Sequence, residues 1–385
     1  MIRNIKVITA SSYLSMLFLG VAGGLIGAAA RNIGLSPYEI GLMITFQNLG
    51  FMISVMISGA LADSVDKPKI LLIGSIILSA SFLSFYSTQV FSLNLFIMFM
   101  IGVGIGTYEG VTDALLIDIH PQKESLHINI NHFFVTFGSI LITVYLIFLQ
   151  MDWRVAVTQS GVLVLALALV FSFTNLRRKT KSAEPYLARM RILTREKMVV
   201  AFFAITILVV GVEAGTIGIL TTYLMDLRDF TLITSKIALV IFLVGMASGR
   251  LIMGYISPRE KIFSILIALF TSSAVAYAGL YFLDFGFATY GIIFLAGLSL
   301  SALFPLILTQ AGLLYPEIAG TVLGSIKVAI PLGGILVPFL MSTLVRYVSF
   351  EISLIVFPVS FLISLALIYL ASPTKSRFSQ ISPSD

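Results

Sequence analysis

The segment "GIGTYEGVTDALLID" places Glu109 and Asp113 four residues apart, shortly after the unbroken apolar run 96–100. On a helix, residues i and i+4 lie one above the other on a single face. Gly102 and Gly106 extend that stripe, so a neighbouring backbone or a ligand can approach it closely. A carboxyl in such a place is poorly hydrated, and a second acid beside it also disfavours ionisation. Such a group takes up a proton when occluded and releases it when opened to water, which is what a proton relay needs. Glu213 and Lys327 also fall inside long apolar runs. A charge at mid-bilayer costs about 2.5–3.5 kcal/mol on insertion scales, so these residues are expected to face a bundle interior or a watery cavity. An ammonium from Lys327 near Glu109 would favour the anion, and the pair could then switch with conformation. The plainer alternative is that these charges pair only to hold the structure together.

Other polar residues could build a solute site. Gln47 and Asn48 sit in the middle of the second apolar run, and Asn129, His132 and Thr136 form an i, i+3, i+7 stripe on the fifth. Glu213 and Thr216 share a helical face on the seventh. Amides and hydroxyls offer the mixed donors and acceptors that a sugar-like polyol demands. The competing role for each amide is an interhelical hydrogen bond, about 0.6–2 kcal/mol in a membrane. His132 alone among them titrates near neutrality and could assist proton transfer. Lys327 points to an anionic solute such as an acid sugar.

These residues need a scaffold that keeps charge out of lipid, and the composition supplies one. The 385 residues are 58% hydrophobic and only 11% charged, with a mean hydropathy of +1.04. Soluble domains carry about 25% charged residues. Apolar runs of about 20 residues, enough to cross a ~30 Å hydrocarbon core, recur throughout. The chain therefore reads as an all-α polytopic membrane protein. Its approximate spans are 7–30, 38–62, 69–87, 92–117, 127–149, 154–174, 198–224, 234–256, 262–283, 287–312, 319–345 and 350–371. The first is too long for the core of a signal peptide and is kept as a helix. Pro305, Pro331 and Pro338 are expected to kink the tenth and eleventh.

The twelve spans divide into two six-helix bundles, 1–174 and 198–371. Between them lies a basic linker, 175–197, with eight cations, and a polar tail, 372–385, follows. With the N-terminus inside, cytoplasmic segments hold roughly 18 cations and outer ones roughly five, so both termini are expected to be cytoplasmic. The two halves echo one another. "GALADSVDKPKILLIG" starts at Gly59 and "GYISPREKIFSILIA" at Gly254, an offset of 195 residues, as two parallel repeats require.

The loop after the second span reads Gly59, Leu61, Ala62, Asp63, then Lys67 and Lys69. This resembles the loop motif of the major facilitator superfamily, although Ser64 replaces the usual arginine after the acid. "GIGTYEGVTDALL" with "HININHFFVTFGSI", together with "VGVEAGTIGILTTYL", "FLVGMASGRLIMGY", "GLSLSALFP" and "PLGGILVP", is similar to the fucose–proton symporter family within it. The resemblance implies two pseudo-symmetric bundles, alternating access, and proton coupling through Glu109, with Asn129 and His132 at the family's amide positions. It also implies a gating role for Gly59, Asp63, Gly249, Arg250 and Gly254 at cytoplasmic helix ends. That family's first helix carries an acid; here "GVAGGLIGAAA" has none.

The expected function is secondary transport of a small polar solute such as a sugar or sugar acid, coupled to protons. The alternative is export of hydrophobic or drug-like compounds. Expected partners are the solute, protons and the bilayer of the cell membrane, with no nucleic acid, no cofactor, no metal and a monomeric state. No HExxH or GxSxG motif and no cysteine is present to suggest an enzyme. The charge asymmetry predicts sidedness. A reporter fused after Asp385 should be active as a fluorescent protein and inactive as alkaline phosphatase, and the reverse pattern would invert the orientation.

Overall fold

The computed structural model describes residues 4–35, 37–148, 152–174, 176 and 195–371. Most of the expected linker and the whole tail lie outside the described residues. Among the described residues, twelve helical segments are long and apolar enough to cross a membrane. The first six spans are α1 (Ile5–Ile33), α2 (Pro37–Ala62), α3 (Lys67–Ser84), α4 (Phe91–Ile119), α5 (Glu124–Phe148) and α6 (Trp153–Ser172). Then come α7 (Lys197–Leu227), α8 (Leu232–Ile256) and α9 (Ile262–Phe282). The tenth span is α10 (Thr289–Ser301) with α11 (Leu303–Leu314), and the eleventh α12 (Ala319–Lys327) with α13 (Ala329–Tyr347). The twelfth is α14 (Phe350–Ser353) with α15 (Val356–Ala371).

Local chemistry sets these ends. Asp152 caps α6 by accepting from Val155 N, and Thr231 caps α8 by accepting from Thr234 N. Proline has no N–H to give the carbonyl four residues back. The tenth span accordingly breaks at Ala302, just after Ser301, four residues before Pro305. The eleventh breaks at Val328, just after Lys327, four residues before Pro331. Pro338, by contrast, lies inside the continuous α13.

The halves have the same internal pairing. In the first, α2 packs on α4, α1 on α5 and α3 on α6; in the second, α8 packs on α10, α7 on α13 and α9 on α15. Reciprocal glycines allow the close crossings. A β-carbon at Gly50 would overlap the Phe99 carbonyl, and one at Gly102 the Gln47 carbonyl. Gly245 and Gly297 do the same between α8 and α10. Gly50 and Gly245, Gly102 and Gly297, and Gly138 and Gly333 are each separated by the 195-residue offset seen in the sequence. Burial follows the same division. One apolar core is drawn from residues between Ile8 and Phe171, the other mainly from residues between Met198 and Ile368.

The halves meet chiefly at the ends that the loop charges assign to the cytoplasm. Gly59 packs on Gly324 at the foot of α12, and Gly254 packs on Leu126 and Asn129 at the foot of α5. Asp63 accepts hydrogen bonds from Gly320 N at 2.9 Å and Thr321 N at 2.8 Å, and from the Thr321 hydroxyl. It thus caps α12 from the opposite half. Ile318, at the helix's own N-cap, supplies no side-chain cap, so Asp63 satisfies amides that would otherwise be orphaned. Gly249 lies elsewhere. It packs on Ser301 and Leu298 within the second half, a crossing of α8 and α10 rather than part of the seam.

A β-carbon at Gly59 would sit 2.7 Å from the Gly324 Cα. Gly59→Val should therefore prop this seam open. A cysteine placed at Ala62, buried in the parent, should react with a membrane-impermeant maleimide about tenfold faster in that background, the effect of a ~1.4 kcal/mol shift toward the open state. Unchanged reactivity would show that the glycine contact does not close the seam.

Candidate functional site: a cavity between the halves

A cavity of about 510 Å³ lies between the halves, walled by α1, α2, α4 and α5 on one side and α7, α8, α11 and α13 on the other. Gln47, Asn48, Glu109, His132, Thr136, Ser139, Glu213 and Arg250 supply its polar lining, and Phe51, Phe304 and Met246 part of its apolar wall. Glu109 is 3% exposed, and the cavity is what it faces.

Lys327 is fully buried and does not line the cavity. Its ammonium stands 2.6 Å from Asp113 Oδ2 and 2.8 Å from Glu109 Oε1, and it also donates to the Glu109 carbonyl. The two carboxylates are not held alike. Asp113 receives hydrogen bonds from Lys327, from Asn131 Nδ2 at 2.7 Å and across 3.0 Å from His132 Nε2. Glu109 Oε1 lies within ion-pair distance of the ammonium yet receives no directed hydrogen bond. Asp113 is therefore the more fully bonded carboxylate partner of Lys327 and Glu109 the less. Glu109, Asp113 and His132 present ligand atoms within 4.8 Å of one another, a spacing that would suit a metal ion, but the ammonium bonds to the same carboxylates.

Arg250, expected at a cytoplasmic helix end, lies six residues inside the end of α8. It is buried on the cavity wall and ties the halves together. Nη1 donates to the His132 carbonyl at 3.0 Å and to the Thr136 hydroxyl, both in the first half. Nη2 reaches both oxygens of Glu213 at 3.2 and 3.4 Å. Nε donates at 3.2 Å to the carbonyl of Ser301. That carbonyl is the one Pro305 cannot serve, so the proline break creates the acceptor that the arginine uses.

Of the remaining expected residues, Gln47 and Asn48 line the cavity, and Gln47 Nε2 also donates to the Ala22 carbonyl at 3.1 Å. Asn129 does not reach it; this side chain bonds back to Ser125 and packs against Gly254 in the seam. Thr216 turns away to Tyr277, 3.1 Å distant, within the second half. Two partners escaped the sequence reading. Asn131 donates to Asp113 and to Thr112 Oγ1, and Phe304 sets its ring edge-on to His132 with centroids 5.2 Å apart. An amide beside His132 in an apolar run was the available signal for Asn131, but the chosen 129–132–136 stripe looks along the neighbouring face.

Twelve spans in two like-packed sets of six, with a polar cavity between them, define a solute carrier. The sequence profile described as the Major Facilitator Superfamily matches residues 8–338, and the chain belongs to that family. It is a multi-pass membrane transporter and not an enzyme. The E. coli fucose:proton symporter superposes with a TM-score of 0.81 at 17% identity, over 96% of this chain and 99% of that one. A proton:xylose symporter gives 0.75 at 14% identity, over 96% of each chain. The human organic anion transporter MFSD10 gives 0.77 at 14% identity, over 94% of this chain and 99% of that one. At these identities the likeness is one of fold. No curated protein sequence matches the chain.

Removing Lys327 would leave Asp113 and Glu109 as uncompensated buried carboxylates, which costs about 3–5 kcal/mol for a broken buried pair. Lys327→Met should therefore lower the thermal unfolding midpoint in detergent. Adding Asp113→Asn to it should raise the midpoint again, because the stranded charge goes too. A double variant less stable than Lys327→Met would show that the pair is not the linked unit described.

Proposed function

We propose that the protein is a secondary transporter of a small polar solute that works by alternating access and couples solute movement to protons through Glu109. The observation that carries this reading is the position of Glu109. Its carboxyl faces the cavity on one side and an ammonium of the opposite half on the other. With Glu109 ionised, Lys327 is attracted to two carboxylates across the seam and the cytoplasmic side stays closed. A proton arriving from the cavity removes one of them. The remaining attraction is weaker, and the halves can separate at their cytoplasmic ends. The linkage is local electrostatics acting on a two-state element.

The energetics are adequate. One proton crossing 100 mV releases about 2.3 kcal/mol, enough for roughly 50-fold accumulation of a neutral solute. In this reading the protein resides in the cell membrane as a monomer with both termini cytoplasmic, and Asp63, Gly59 and Gly254 form the closed cytoplasmic seam. The apolar wall of Phe51, Phe304 and Met246 favours a second reading, export of hydrophobic compounds. Lipophilic substrates competing for transport, with sugars inert, would establish that reading instead.

Reconstituted vesicles separate coupling from carriage. Glu109→Gln should keep solute counterflow, in which labelled and unlabelled solute exchange without a gradient, and should lose accumulation driven by a pH gradient. Accumulation at the parental level in Glu109→Gln would remove Glu109 from the coupling mechanism.

A further inference from the structure

A count of spent and unspent hydrogen-bonding groups narrows the solute. The two cations of the site have nothing left to offer. Lys327 is fully buried with its ammonium engaged by Asp113 and by the carboxylate and carbonyl of Glu109. All three nitrogens of Arg250 donate to protein acceptors. Acceptors, in contrast, remain unspent on both walls. Glu213 in α7 is 23% exposed and receives hydrogen bonds only from Arg250 Nη2 among the described residues. Glu109 in α4 gives its Oε1 to the Lys327 ammonium, 2.8 Å away, but its other carboxylate oxygen receives no hydrogen bond among the same residues. With His132 Nε2 turned to the Asp113 carboxylate, a neutral ring leaves Nδ1 as another acceptor. Charge points the same way. Glu109, Asp113 and Glu213 stand against Lys327 and Arg250, which leaves one uncompensated negative charge while His132 is neutral.

We infer that the solute carries a protonated amine, with Glu213 and Glu109 receiving its N–H groups from opposite walls. An ammonium supplies three donors and the missing positive charge. A carboxylate or phosphate solute meets no free charged donor and adds a second uncompensated charge to a poorly hydrated site. The anionic solute suggested by Lys327 in the sequence is therefore not what this cavity is built for. The inference rests on the transporter reading above and specifies the solute of the same cavity. It also fixes a consequence: an amine and the coupling proton compete for Glu109, so amine binding weakens as the pH falls, whereas an uncharged solute would not show that competition.

The test uses matched probes on more than one carbon skeleton: glucosamine, glucose and glucuronate, then galactosamine, galactose and galacturonate. Each is assayed for thermal stabilisation of the whole purified chain and for competition in vesicle transport with the others of its set. In at least one set the amine should bind tightest, by about tenfold, the worth of one charge-assisted hydrogen bond. Glu213→Gln should erase that preference; Arg250 keeps its contacts to Ser301, His132 and Thr136 there, so the cavity persists. If the neutral or acidic member wins in every set that binds, the amine inference is overturned and the transporter reading stands. If no member of any set binds or moves, both fall.

Discussion

The structure depends on a single buried ammonium. Lys327 belongs to the second half of the chain, yet its hydrogen-bonding partners are carboxylate and carbonyl oxygens of α4 in the first. Burying a cation costs several kcal/mol unless its partners are well placed, so the second half can adopt this arrangement only where the first presents Asp113 and Glu109. On the proposed reading, the ion pair makes closure of this seam an all-or-none event. Asp63 reinforces it one layer below by capping α12, the helix that carries Lys327. Any separation at this face must strand the ammonium, the helix N-terminus, or both.

Proline interrupts the tenth and eleventh spans beside these contacts. The break at Val328 ends α12 at the lysine itself, so Lys327 sits at a helix terminus. The break at Ala302 exposes the Ser301 carbonyl that Arg250 occupies. Interrupted spans are tolerable in a membrane where neighbouring groups satisfy the freed backbone. Here a side chain that also touches Glu213 and the first half does so. The consequence is a mechanical link from the cavity wall to the seam, since one guanidinium reads Glu213, α5 and the broken span together.

Much of this was legible in the sequence. The twelve spans follow from apolar length, and the 195-residue offset noticed at Gly59 and Gly254 reappears in the packing glycines. Glu109 was legible because an acid is expensive in an apolar run. What the sequence could not supply was partnership between halves. Lys327 and Asp113 are 214 residues apart, and nothing in either segment says which of several buried charges meets which. Arg250 was misplaced for a related reason. Six residues from the end of α8 it reads as a helix-end residue, and only the approach of α5 and the broken tenth span shows that it faces the cavity. Asn129 and Asn131 show the finer limit, because two amides two positions apart point to different helices and only one of them reaches the charged cluster.

On the proposed reading the cytoplasmic seam is held by Lys327 and loosens when Glu109 is neutral. Spin labels at Lys123 and Arg259, exposed on loops of opposite halves at that face, report the seam directly through their separation. Electron–electron resonance should show a short, narrow distance at neutral pH, and a longer component should grow as the pH falls. The same longer component should dominate at neutral pH in Glu109→Gln. A distribution that ignores both pH and the Glu109 substitution would contradict the account.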